Sequence, residues 1–416
     1  RDGCTTPMGM WRVDAELKLI REAGAAKYFL LLHGLVSHLR SKGIAVGPGR
    51  GASGSSYVLY GLGVTDIDPI GAGLHFESFL DPARKGIPAF HLDVEPRGVE
   101  AAVKYLANRY GKDKVARLTA YTRYLELAAE RKAELVLGRN AGGNPVKPAD
   151  VADLAATLVG RVKVPTMHPT AIVIATSPVA SSFPLRAPRT TESGMVPHLA
   201  WDRETVEEAG QLVVHLLGLQ ALTPVATALK AAAGAKRAGG QMGPVPHPSR
   251  RDLESVRKAW RLLYEKDLPK LQLSARALKE MLDAGRTVDL NELTNVYAVA
   301  RFGPLARKIY LGARATPSMG TGTPLAILSQ VTASTRGIFL YQEQVVDLAV
   351  RAAGYTVSDG LRLQKVLAKG SPEMTAIERE RFIDAVALHL EPEAQRAGEA
   401  EALFACLLYT SDAADD

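Results

Sequence analysis

The residues whose types and spacing could do chemistry crowd between Gly43 and Glu95. Val46-Gly47-Pro48-Gly49-Arg50-Gly51-Ala52-Ser53-Gly54-Ser55-Ser56 is a glycine- and serine-rich turn around one arginine. Pro88-Ala89-Phe90-His91-Leu92-Asp93-Val94-Glu95 alternates apolar and polar residues as a half-buried strand does. On such a strand His91, Asp93 and Glu95 share one face, while Phe90, Leu92 and Val94 point into the core. A loop rich in backbone N–H groups beside a strand carrying acidic side chains suits phosphate and metal chemistry. Taken singly, the loop reads as a tight turn and the strand face as solvated surface; the pairing is what gives them weight.

Several elements must position these residues. Val13–Glu22 and Tyr28–Lys42 read as helices broken at Gly24, with Leu17, Ile20, Phe29, Leu32, Leu35, Val36 and Leu39 at helical spacing. His33 and His38 lie on or beside that stripe and read as structural. The spacing predicts helix over Val99–Gly111 and Lys112–Leu137, dotted with Arg109, Arg117, Arg123, Arg131 and Lys132. A loop follows over Gly138–Asp150, strand-like sequence over Val162–Arg186, a helix over Leu222–Gly234 and a Gly/Pro/basic linker over Ala235–Ser249. From there to about Leu390 helices alternate with short loops.

The 416 residues suffice for two or three domains with real cores, and the net charge of +7 favours a polyanionic partner. Cys4 and Cys406 are too few and too far apart for a disulfide framework or a metal cage, which predicts a reducing compartment. No apolar run reaches membrane-span length and no signal sequence opens the chain, so a cytoplasmic protein is expected. The chain starts at Arg1, and the stretch 406–416 shares no pattern with what precedes it. That tail reads as a non-native adapter remnant and the whole as a fragment of a longer chain.

The loop and strand together resemble the palm of the C-family of bacterial replicative DNA polymerases (the DNA polymerase III α subunits), whose loop reads V-G-P-G-R-G-S and whose strand reads P-D-F-D-I-D. Gly63-Val64-Thr65-Asp66-Ile67-Asp68-Pro69-Ile70 and Phe76-Glu77-Ser78-Phe79-Leu80-Asp81-Pro82-Ala83-Arg84 are similar to the same palm. Further on, Arg109-Tyr110-Gly111-Lys112-Asp113 resembles the family's Y-G-R-D, and Met167-His168-Pro169-Thr170-Ala171-Ile172-Val173-Ile174-Ala175 its K-H-A-G-G-V-V-I-A. Val214-His215-Leu216-Leu217-Gly218-Leu219-Gln220 resembles F-D-F-L-G-L-R, while Ala300-Arg301-Phe302-Gly303-Pro304-Leu305 and Tyr341-Gln342-Glu343-Gln344-Val345 resemble fingers motifs. Leu363-Gln364-Lys365-Val366-Leu367-Ala368-Lys369 is similar to L-R-R-A-M-G-K.

The resemblance implies an α/β fold: a polymerase β-like nucleotidyltransferase palm with an inserted helical thumb, followed by a mainly helical fingers domain. Its boundaries would be palm over 1–96, thumb over 97–160, palm again over 161–223 and fingers over 224–405, with the tail at 406–416. It implies template-directed DNA synthesis in DNA replication, with primer–template DNA, deoxynucleoside triphosphates and other replisome subunits as partners. Gly49, Arg50, Gly51, Ser53, Arg84, Lys365 and Lys369 would meet nucleotide phosphates, and Arg123, Arg131, His168 and Arg301 would meet DNA.

That reaction uses two Mg²⁺ ions, hard cations that want oxygen ligands, to stabilise the attacking and leaving oxygens. The family's carboxylates fall at positions 91, 93 and 215, where this chain has His91, Asp93 and His215, and Ala89 replaces another aspartate. Three readings follow. Glu95 could join Asp93 as a metal-binding carboxylate pair; His91, Asp93 and His215 could hold a transition metal; or the catalytic site is degenerate. The third is the expectation carried forward, with an inactive DNA-binding or replisome-interaction paralogue as the alternative.

Overall fold

In a computed structural model of the chain, the described residues are 6–82, 89–140, 147–187, 196–227, 290–299, 310, 324–389 and 396–412. The chain divides into two compact units, one of residues 1–69 and 84–242, the other of residues 70–83 and 243–416. The fold is mixed α/β, with one four-stranded sheet among the described residues and helices elsewhere.

The first unit opens with helices α1 (Pro7–Glu22) and α2 (Ala26–Ser41). Thr6 caps α1 by accepting from the Gly9 N–H, and Pro7 occupies its first position, where a missing N–H costs nothing. Gly24, at φ +63°, makes the break between the helices. Phe29, Leu32, Leu35, Val36 and Leu39 are buried along α2, as their spacing requires. A short helix α3 (Tyr57–Gly61) follows the glycine loop.

Strands β1 (Phe90–Val94), β2 (Val115–Arg123), β3 (Val162–Ile174) and β4 (Leu212–Gly218) form the sheet in the order β1-β4-β3-β2. β1 and β4 are parallel, and β3 is antiparallel to both its neighbours. Helix α4 (Pro96–Tyr110) carries the chain from β1 to β2 and buries Ala102, Val103, Leu106 and Ala107. The Phe29 and Phe90 rings meet edge to face at 5.8 Å, fixing α2 against the same strand. On the opposite face Leu118, Ala171, Val173 and Val213 pack with Val179, Phe183, Leu199 and Val206. By strand alternation His91, Asp93 and His215 stand on this second face.

Residues 115–123, expected to be helical, form β2. The nine-residue run Val-Ala-Arg-Leu-Thr-Ala-Tyr-Thr-Arg is rich in β-branched and aromatic types, which suit a pleated surface. The basic residues that suggested a solvated helix are placed otherwise: Arg117 is buried and ion-paired with Glu100 of α4. The stretch 97–160 is therefore not one helical insert. The helical part is a hairpin of α5 (Glu126–Asn140) and α6 (Pro148–Leu158), which pack on each other through Ala129, Ala133 and Ala155.

The second unit is helical among its described residues: α8 (Leu290–Val299), α9 (Pro324–Val331), α10 (Gln342–Ala353), α11 (Val357–Lys369), α12 (Pro372–His389) and α13 (Arg396–Asp412). Its core joins Leu348, Leu363, Phe382, Val386, Leu403, Phe404 and Leu407. Leu407 lies inside the stretch expected to be a non-native tail, yet it is 1% exposed in the middle of α13. Tail residues up to 412 are thus part of a helix that closes this core, because an apolar Leu403-Phe404…Leu407 face repeats at helical spacing. In the first turn of α10, Gln344 is buried; its side-chain carbonyl accepts from the N–H groups of Leu340 and Tyr341, and its amide donates to Thr335 and Val331.

Candidate functional site

The glycine loop reaches the sheet through a short stretch of backbone pairing. Gly47 N–H donates to the Asp93 carbonyl at 2.8 Å, Val46 bridges Val94, and Glu95 N–H donates to the Ala45 carbonyl. A Cβ at position 47 would stand 2.7 Å from the Asp93 Cβ, so only glycine permits this approach. The loop then turns through Gly51 at φ +57°, and Ser53 Oγ donates back to the Arg50 carbonyl at 2.8 Å. The outcome is that Arg50 Nε donates to Asp93 Oδ1 at 2.6 Å.

Glu16 anchors the far end of the loop. Its carboxylate is buried, and it accepts from Arg12 Nε, Ser56 Oγ and the N–H groups of Tyr57 and Val58, all at 2.7–3.0 Å. It thereby satisfies donors that the first turn of α3 would leave orphaned. Nothing in the local pattern of α1 marks Glu16 apart from other surface acids; only its place in the fold does.

His91 and His215 are directly paired in the parallel β1–β4 register. Their rings stack with centroids 4.5 Å apart and planes 6° from parallel. His168 meets His215 edge-on at 5.7 Å. It lies in a bulge of β3, where the pairing with β2 jumps from Ile172 to Met167 across only two residues of β2. The bulge strips N–H groups from the ladder, and His168 Nδ1 replaces the lost acceptors, taking the N–H of Thr170 at 3.2 Å and of Ala171 at 3.1 Å. Thr170 Oγ1 lies 3.0 Å from His215 Nδ1, while His215 Nε2 is buried with no hydrogen-bond partner.

All three imidazoles are held below the ordinary histidine range. Burial lowers His215 to about 4, helped by His91, His168 and Arg203. Burial lowers His91, with Arg50 and Arg203 adding to it against the Ala89 carbonyl and Asp93. Burial and Arg203 lower His168. The trio is neutral at pH 7, and the fixed charges beside it are Arg50, Arg203 and Asp93. Arg203 opens helix α7 (Arg203–Glu208) after the Asp202 cap, and it was not among the residues expected at the site.

The arrangement departs from the expected metal site. Glu95 does not share the Asp93 face: the strand ends at Val94, and Glu95 turns inward at the start of α4. There it is buried, ion-paired with Arg97 at 2.8 Å and facing the Ala45 N–H. No carboxylate pair with Asp93 forms. Among the described residues no group of three or more His, Cys, Asp or Glu is arranged to hold a metal ion. Two stacked imidazoles and one carboxylate already bonded to an arginine do not fit two Mg²⁺ ions.

The structure brings together Gly49, Arg50, Gly51, Ser53, His91, Asp93, His168 and His215 in the first unit. Arg123 lies at the end of β2, donating to the Gly160 carbonyl, and Arg131 is exposed on α5. Lys365 and Lys369 are exposed on α11 of the second unit. Arg84, Arg301, the expected Leu222–Gly234 helix beyond residue 227 and the whole Ala235–Ser249 linker lie outside the described residues.

Comparison with known proteins gives two family matches. Residues 5–144 match the bacterial DNA polymerase III alpha NTPase domain, and residues 260–389 match the bacterial DNA polymerase III alpha subunit finger domain. The chain is 26% identical to DNA polymerase III subunit alpha of Caulobacter vibrioides, over 92% of this chain and 36% of that one. It is 30% identical to the error-prone DNA polymerase of Corynebacterium glutamicum (89% and 35%) and 26% identical to DNA polymerase III subunit alpha of Escherichia coli K12 (90% and 35%). The chain thus spans about a third of the length of these curated relatives.

Proposed function

Since this chain belongs to the bacterial DNA polymerase III α-subunit family, as a divergent homologue, we propose that it handles primer–template DNA in replication without performing two-metal nucleotidyl transfer. In this reading the sheet of the first unit is the palm, the α5–α6 hairpin is the thumb, and the second unit is the fingers. The match of residues 260–389 to the finger domain supports the last assignment. The observation that carries the proposal is the Arg50–Asp93 pair at 2.6 Å beside the His91–His215 stack. The sole acidic group left on that strand face is neutralised by the loop that would cradle phosphates. Two-metal catalysis needs carboxylates free to bind cations, so the chemical step loses its scaffold.

What remains serves binding. The basic residues Arg123, Arg131, Lys365 and Lys369 supply phosphate contacts, whose sum sets affinity for DNA without reading sequence. The partners are primer–template DNA and other replisome components. The test is primer extension with Mg²⁺ or Mn²⁺ beside a gel shift across salt concentrations. The expected result is no incorporation and a DNA affinity that falls steeply with salt. Incorporation that disappears in Asp93→Ala would overturn the proposal.

A further inference from the structure

The packing of the α5–α6 hairpin leaves one side of α5 in water. Its two helices meet along a narrow seam of Ala129, Ala133 and Ala155. Residues four apart on a helix share a side, and Leu127, Arg131 and Leu135 recur at that spacing, turned away from the seam alanines of α5. Leu127 is 60% and Leu135 48% exposed, and Leu125 and Val159 stand in water at the foot of the same hairpin. A single exposed leucine is ordinary, whereas apolar side chains repeated along one helix face mark an interaction surface. The charges of α5 are sorted about this stripe. Glu126, Glu130 and Glu134 run along one edge, Arg131 sits within it and Lys132 lies on the other edge, all of them exposed.

That pattern decides between the covers the face could take. A second copy of the chain, paired about a two-fold axis through the stripe, sets Arg131 against its own image. A DNA backbone meets Arg131 and Lys132, but it offers the leucines no apolar contact and runs beside glutamates that repel it. We infer that this face of α5 docks an amphipathic helix of a partner protein. That helix presents apolar side chains to Leu127 and Leu135, acidic residues to Arg131 and Lys132, and basic residues to the edge of Glu126, Glu130 and Glu134. From Leu127 to Leu135 the stripe runs about 12 Å at the helical rise, enough for roughly two turns of the partner. The inference goes beyond the DNA-binding reading and stands without it. Arg131 serves a carboxylate while the partner is bound and a phosphate otherwise.

Fluorescence anisotropy on the whole chain tests this, with a labelled synthetic helix as the probe. The peptide carries a leucine stripe edged by glutamates on one side and lysines on the other, and its twin has every glutamate replaced by lysine. The mixed peptide is expected to bind saturably and the twin not to bind. Leu127→Ser with Leu135→Ser, both at exposed positions, should weaken that binding about tenfold or more while the melting temperature and the gel shift with duplex DNA stay as they were. Arg131→Glu with Lys132→Glu should transfer binding from the mixed peptide to the twin, an exchange that loss of structure cannot produce. No saturation by about 1 mM peptide, or an affinity unchanged in the leucine variant, overturns the inference. So does a DNA gel shift lost in the leucine variant, which gives the face to DNA. Sedimentation that shows a dimer of the unmodified chain, dissociated by the same pair of substitutions, gives it to a second copy and overturns the inference equally.

Discussion

At the scale of single residues, His215 and Glu16 show how burial decides a side chain's part. His215 titrates near 4 in the folded chain against an ordinary 6.5, because burial disfavours its charged form. A histidine depressed in this way contributes stability that is present above pH 6.5 and is lost as pH falls towards about 4, since the unfolded chain takes up the proton first. Urea midpoints should therefore drop between pH 7 and pH 4.5, and the drop should be shallower in His215→Asn. Glu16 accepts from four donors, two of them backbone N–H groups of α3. Glu16→Gln keeps the shape but weakens charge-assisted bonds, and should cost about 2 kcal/mol in chemical denaturation. His91, Asp93 and Arg50 were legible in the sequence because a family motif and a two-residue period pointed to them. Glu16 and Arg203 were not, because an acid on an exposed-looking helix and an arginine after a cap carry no local mark of where the fold sends them.

Among the elements, the approach of the glycine loop to β1 and the bulge in β3 do the positioning. Gly47→Ala would drive a methyl group to within 2.7 Å of the Asp93 Cβ. The loop must retreat, and we expect a loss of about 1–3 kcal/mol, measured by chemical denaturation. His168→Ala strands the Thr170 and Ala171 N–H groups in the bulge. Its expected cost is about 1–3 kcal/mol for each group that water cannot reach, read from the same denaturation curves. The period-2 pattern announced β1, and the helical spacing announced α2. The arginines of β2 suggest a wet helix, whereas pairing with β3 makes the backbone a strand and Arg117 is buried against Glu100 of α4. Glu95 was misread for a related reason: alternation predicts a face only while the strand lasts, and this strand stops one residue earlier.

At the scale of the whole molecule, the second unit closes its core with the final described helix. Leu407→Ala, deep in that core, should cost about 2–5 kcal/mol and lower the melting temperature of this unit. A melting temperature unchanged in the variant would return residues 406–412 to the status of an appendage. No described helix is long and apolar enough to cross a membrane. The α/β class and the family were readable from motifs. Residues 70–83 sit amid the palm-like motifs in sequence yet belong to the helical unit, where Ser358 Oγ donates to Asp81 and His75 Nε2 meets Asp347, each at 2.8–2.9 Å. A segment stitched in this way makes the protein resist dissection. Scissors applied at Ala235–Ser249 would sever the Phe76, Phe79 and Leu80 side chains from their own hydrophobic home and hand them to the wrong fragment. Anyone wishing to produce the helical body by itself must graft that loop back on.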